Sequence, residues 1–137
     1  MLDQTDIAII QLLQANARLQ WKEIGEQVHL TGQAVAQRIQ RLTEQGIIEA
    51  FTLRVNEEKM GRPLVALITM FLKSNDHGSF QRFLQSASAV EEAHRVSGEG
   101  CYWLKARLGK QEELNDFLDQ LLPFGNYRLQ LSIAKIR

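Results

Sequence analysis

The chain has 137 residues, 45% hydrophobic and 23% charged, with sixteen basic and sixteen acidic side chains that cancel. This is the composition of one ordinary globular domain or two small ones. No apolar run approaches the length of a membrane span, and Met1-Leu2-Asp3-Gln4 carries neither a basic region nor a signal core, so a cytoplasmic protein is expected. A single cysteine, Cys101, allows no internal disulfide and cannot hold a metal alone.

Asp3 has the character of a helix N-cap, reinforced by Asp6 at the positive helix end. Ile7, Ile10 and Leu13, flanked by Ile9 and Leu12, form an apolar face that runs to about Ala15, and Asn16-Ala17-Arg18 breaks it. A second helix is expected from Trp21 to Val28, burying Ile24 and Val28. Gly25 in its middle costs about 1 kcal/mol against Ala, which points to close approach of a neighbouring helix. His29-Leu30 makes a turn, and Thr31 caps a third helix that stops at Gly46.

In this third helix Val35, Ile39 and Leu42 share one buried stripe. The other face presents Gln33, Gln37, Gln40 and Arg41, and no acid lies between Thr31 and Thr43. Such a helix can enter the major groove of double-stranded DNA, where glutamine pairs bidentately with adenine. The candidate DNA-binding residues are Thr31, Gln33, Gln37, Arg38, Gln40 and Arg41. Arg38 lies nearer the buried stripe, so a phosphate contact and an internal ion pair are both open to it. Charge argues against strong binding by one copy, because residues 1–59 carry six basic and eight acidic side chains. Several copies acting together would offset that weakness.

After Gly46 the period changes. Phe51 to Val55 alternates as a strand does, and Asn56 to Pro63 has the composition of a linker. Leu64 to Leu72 is expected as a central strand, followed by a helix carrying Phe80, Phe83, Leu84 and Ala87. Val90 to Ser97 is a second strand, Gly98-Glu99-Gly100 a tight turn, and a third strand has Tyr102, Leu104, Ala106 and Leu108 on one face. A helix with Leu114, Phe117, Leu118 and Leu121 ends at Pro123. A last strand runs from Tyr127 to Ile136, with Tyr127, Leu129, Leu131 and Ile133 inward. The order from Leu64 is βαββαβ, the ferredoxin-like arrangement, and the whole is an α+β chain. Helices would cover one sheet face, and apolar residues on the other imply a second subunit.

The order of these pieces resembles the Lrp/AsnC (feast/famine) family of transcription regulators over nearly the whole chain. The resemblance is carried by Leu2-Asp3-Gln4-Thr5-Asp6-Ile7-Ala8-Ile9-Ile10, Arg38-Ile39-Gln40-Arg41-Leu42, Gly46-Ile47-Ile48 and Gly98-Glu99-Gly100-Cys101-Tyr102. It implies a helix-turn-helix DNA-binding domain at 1–48, a strand and linker at 49–63, and a RAM/ACT-like oligomerisation and effector domain at 64–137. It further implies dimers, often assembled into octamers, and an amino-acid effector bound near Gly98, Glu99, Gly100, Cys101 and Tyr102. The sequence departs from the family pattern at Gln37 and Gln40, where basic residues are common, and at Cys101, where an acid is frequent.

Other functions fit less well. Catalysis by Cys101 would need a nearby base, and His29, His77 and His94 fall in a turn, a loop and a strand with no motif joining them. Neither paired carboxylates at a useful spacing, nor a glycine-rich phosphate loop, nor a metal constellation is present, so no enzyme and no cofactor are expected. Inert packing suits Cys101 far better than a nucleophile's role, and core or interface packing suits Tyr102 and Trp103 at least as well as lining an effector pocket does. An effector-independent architectural protein that wraps or bridges DNA would use the same parts.

Overall fold

Asp3 caps the first helix of the computed structural model, which describes residues 1–137. Its side chain accepts a 2.7 Å hydrogen bond from the Asp6 amide, and Asp6 accepts one from the Asp3 amide in return. Helix α1 spans Gln4–Ala15, α2 spans Trp21–Val28 and α3 spans Gly32–Glu44. His29, with φ of 59°, turns the chain between α2 and α3. Gly46 ends α3 at φ of 74°, and Ile47 donates back to the Leu42 carbonyl at 2.9 Å, the bond of a Schellman close. Ile9, Leu13, Ile24, Val35 and Ile39 form the shared core, with Leu42 also buried. Each such side chain contributes about 1.5–3 kcal/mol on burial.

Gly25 approaches backbone rather than a helix surface. A Cβ there would lie 2.3 Å from the Leu30 carbonyl oxygen, so the α2–α3 turn folds directly over it. The expected strand at 51–55 does not form. Phe51, Leu53 and Val55 are exposed and make no ladder, because a strand needs a neighbour and this chain alone offers it none.

The chain divides into two compact units, Met1–Arg54 and Val55–Arg137, with the division inside the 49–63 segment. In the second unit, Asn56 to Arg62 coils into consecutive turns, with the Arg62 amide donating to the Glu57 carbonyl. The elements that follow are β1 Leu64–Leu72, α4 His77–Ser86, β2 Val90–Arg95, β3 Tyr102–Leu108, α5 Gln111–Leu121 and β4 Gly125–Leu131. The strands form one antiparallel sheet in the order β2-β3-β1-β4, as a βαββαβ chain of ferredoxin-like topology requires.

One sheet face carries Ala66, Ile68, Met70, Tyr102, Leu104, Ala106 and Leu108 into a core with Phe80, Leu84, Leu114, Phe117, Leu118 and Leu121. The opposite face exposes parts of Val65, Leu67, Phe71 and Trp103 among charged neighbours. Strand β4 stops at Leu131 and not at Ile136. Beyond the Ser132–Val65 bond β1 has almost no strand left to pair with; Leu131 and Ile133 are exposed instead of inward, and Ile136 is exposed too. Likewise β2 ends at Arg95, two residues short of the expected Ser97, as the chain enters the 97–101 turn.

Candidate nucleic-acid interface and effector turn

Thr31 Oγ1 accepts a 3.1 Å hydrogen bond from the Ala34 amide, so the first turn of α3 starts with one of its free N–H groups satisfied. Gly32 sets that turn against the backbone of Lys22, leaving room for no more than a tight Cβ contact. With Val35, Ile39 and Leu42 turned inward, Thr31, Gln33, Gln37 and Gln40 remain exposed. Gln40 donates to Glu44 at 3.0 Å along the helix. The presented face is therefore neutral and rich in amide groups that both donate and accept.

The two arginines of α3 turn toward α1. Arg38 Nη1 lies 2.7 Å from Asp3 and 3.0 Å from Asp6, while Arg41 Nη2 lies 2.8 and 2.9 Å from the two Asp6 carboxylate oxygens. Asp6 is completely buried, and Arg41 keeps about half of its side chain in solvent, 47%. The hydrogen bond from Arg38 holds the Asp3 carboxyl below the usual aspartate range, and Asp3 in turn raises Arg38. Of the alternatives open to Arg38, the internal ion pair is the one formed. Asp6 was legible only as a favourable charge at a helix end. Its pairing spans 32 and 35 residues, which no local pattern reports.

The second candidate site is the turn between β2 and β3. Gly98 and Gly100 have φ of 88° and 79°, the left-handed region that glycine enters without strain. A Cβ on Gly100 would sit 2.6 Å from Thr69 Cγ2, so the turn is seated directly on β1. Cys101 donates its amide to the Met70 carbonyl at 2.7 Å and is half-buried. Glu99 pairs with Arg128, whose guanidinium lies 5.3 Å above the Phe71 ring. Arg128 escaped the sequence reading, although alternation along β4 places it on the face opposite Tyr127 and Leu129.

Tyr102 leaves this group. It is buried among the helices, and its hydroxyl meets His77 Nδ1 at 2.9 Å and Gln81 Nε2 at 3.0 Å. The turn thus gathers Gly98, Glu99, Gly100 and Cys101, whereas Tyr102 belongs to the core.

The three histidines stay apart in role. His29 shapes a turn, His77 meets Tyr102, and His94 lies 2.7 Å from Glu92. No cluster of His, Cys, Asp and Glu side chains is arranged to hold a metal ion, and no helix is long and apolar enough to cross a membrane.

Comparison with known proteins identifies the architecture. Residues 2–43 match the AsnC-type helix-turn-helix domain, and residues 65–134 match the Lrp/AsnC ligand-binding domain. The chain is 46% identical over 136 residues to the HTH-type transcriptional regulator LrpB of Bacillus subtilis, covering 99% of this chain and 91% of that protein. It is 34% identical to LrpA of the same organism, covering 98% and 100%. The structure of B. subtilis LrpC superimposes with a TM-score of 0.93 at 29% identity, covering 100% of this chain and 98% of the other. The Neisseria meningitidis regulator NMB0573, solved as a complex with L-Met, superimposes with a TM-score of 0.92 at 25% identity, covering 100% and 93%. This chain belongs to the Lrp/AsnC family of DNA-binding transcriptional regulators, which are not enzymes, and joins an AsnC-type helix-turn-helix to an Lrp/AsnC ligand-binding domain.

Proposed function

We propose that this regulator reads double-stranded DNA through α3, with Gln33 and Gln37 on base edges and Thr31 and Gln40 beside them. The observation that carries this reading is the exposed amide face of α3, free of acids up to Glu44 and opposite a fully buried stripe. Glutamine offers a donor and an acceptor side by side, the pattern that matches adenine in the major groove. Residues 1–48 form the reading domain, 49–63 the connection, and 64–137 the assembly and ligand domain. The protein works in the cytoplasm.

Assembly follows from what the sheet leaves open. Val65, Leu67, Phe71 and Trp103 form a partly exposed apolar row, and Leu131, Ile133 and Ile136 add to the exposed apolar surface. A second copy covers such a face by two-fold symmetry, and dimers assemble further into an octamer. Linking reading heads raises the effective concentration of each further binding event, which compensates for a net-acidic reading domain.

The effector is an amino acid held at the Gly98–Cys101 turn, with Glu99 toward its ammonium and Arg128 available to its carboxylate. The L-Met complex of the N. meningitidis relative supports that ligand class. One observation favours a second reading, an effector-independent architectural protein. Glu99 is already engaged by Arg128, so a ligand must displace an existing ion pair.

Binding assays on a selected duplex test the main reading. Gln33→Ala or Gln37→Ala should weaken binding to the best site by about 1–3 kcal/mol and leave non-specific binding nearly intact. Parent-like affinity in both variants would refute the groove placement of α3.

A further inference from the structure

The recognition helix contains two cations, Arg38 and Arg41, and both are paired with carboxylates at the start of α1. Two carboxylates, Asp3 and Asp6, meet two guanidinium groups, so the cluster is neutral. Asp6 is the centre of it. Its side chain is completely buried, it receives Arg38 at 3.0 Å and Arg41 at 2.8 and 2.9 Å, and it accepts the Asp3 amide at 3.2 Å. Arg38 and Arg41 are three residues apart and thus share one edge of α3, so a single carboxylate can grip both. A buried carboxylate that loses one of its cations keeps an uncompensated charge, which makes the grip hard to release.

We propose that Asp6 is a positioning residue for DNA reading: it draws both arginines of α3 away from the phosphates and fixes the roll of that helix, so that amides rather than charges meet the groove. This inference rests on the DNA-reading proposal. The physical effect is a division of labour. Phosphate contacts supply affinity without sequence information, whereas base contacts supply discrimination. Holding Arg38 and Arg41 to Asp6 lowers the first and preserves the second. The phosphate term must then come from cations outside α3, and within the reading unit those are Arg18, Lys22 and Arg54.

The test is the salt dependence of duplex binding, which counts neutralised phosphates at about 0.9 in log K per log salt for each. Full-length parent, Asp6→Asn, Arg41→Gln and the double variant are titrated with the selected duplex and with random duplex. Asp6→Asn should release Arg41 while Asp3 keeps Arg38, steepen the slope by about one, tighten binding to random duplex, and narrow the ratio between the two duplexes. Arg41→Gln should leave the slope unchanged, and the double variant should lose the gain. A merely structural role for Asp6 would lower the melting temperature and leave the slope alone, and that result would overturn the proposal. A slope shallower by about one in Arg41→Gln would overturn it too, because Arg41 would then be touching phosphate. Arg41→Gln alters a half-exposed side chain, so it decides the matter even where Asp6→Asn fails to fold. Absence of duplex binding by the parent at any salt would instead count against the DNA reading itself.

Discussion

The two units of this chain solve the burial problem in opposite ways. Residues 1–54 close a small aliphatic core with an ion-pair cluster at its edge, and they leave a polar helix face outside. Residues 55–137 build a large core in which Phe80 packs edge-on against Tyr102 at 4.9 Å and tilted against Phe124 at 5.2 Å. They leave most of a sheet face outside. The contrast fits the proposed partners. Amides such as those of α3 suit base edges while phosphate neutralisation falls to cations elsewhere, whereas a second subunit would meet apolar side chains ringed by charge.

Removing an aromatic anchor is the strongest way to break this contrast. Phe80→Ala should destabilise the second unit by about 3–5 kcal/mol, the cost of a large buried cavity. The chain holds two tryptophans, Trp21 in the first unit and Trp103 in the second, so variants keeping one of them report on one unit each. The Trp103 transition should shift to lower denaturant, and equal midpoints for parent and variant would contradict the assigned core.

Acid sharpens the contrast with a smaller effect. Arg38 depresses the Asp3 carboxyl, so its stabilising contribution is complete above the unfolded aspartate value of about 3.9 and is lost as pH falls through the lower folded value. Asp76 in the second unit is also depressed, first by the Ser79 side chain, but it acts only within the first turn of α4. For Glu91, burial pushes upward, yet Arg107 and Lys105 together hold the group below its usual value. Asp3 alone among these three bridges two helices, so Asp3→Asn should flatten the acid dependence of the Trp21 transition below pH of about 4. Unchanged acid sensitivity would remove Asp3 from the docking of α1 on α3.

The smallest expected effect on stability lies at the turn of the second unit. Glu99 and Arg128 are mostly exposed, so Glu99→Gln should change stability by at most about 1 kcal/mol. The same substitution should abolish any rise in melting temperature produced by an amino acid, since such a rise comes from ligand bound only to the native state. A response that survived Glu99→Gln would move the effector site away from this turn.

Local signals were the legible part of the fold. Asp3 and Thr31 cap helices through side-chain oxygens a few residues from the amides they satisfy, and Gly46 ends α3 by a conformation glycine favours. Alternation on β3 was legible for the same reason, since it put Tyr102, Leu104, Ala106 and Leu108 on one face. What escaped was determined by partners distant in sequence. Phe51 to Val55 has the pattern of a strand but no neighbour in this chain, and β4 stops where β1 begins. Alternation already set the face of Tyr102, but the partners of its hydroxyl, His77 and Gln81 on α4, were out of reach of any local pattern. The ion pairs of Asp6 required knowing how α1 lies against α3.

Cys101 gives the second unit a property that its neighbours lack. It is the one thiol in the chain, half-buried on a turn whose backbone is pinned to Met70. Its alkylation rate is therefore a clock for the opening of that turn, readable in the unaltered protein without any engineered label site. A ligand or subunit that presses the turn onto β1 slows the clock, and one that lifts it speeds the clock.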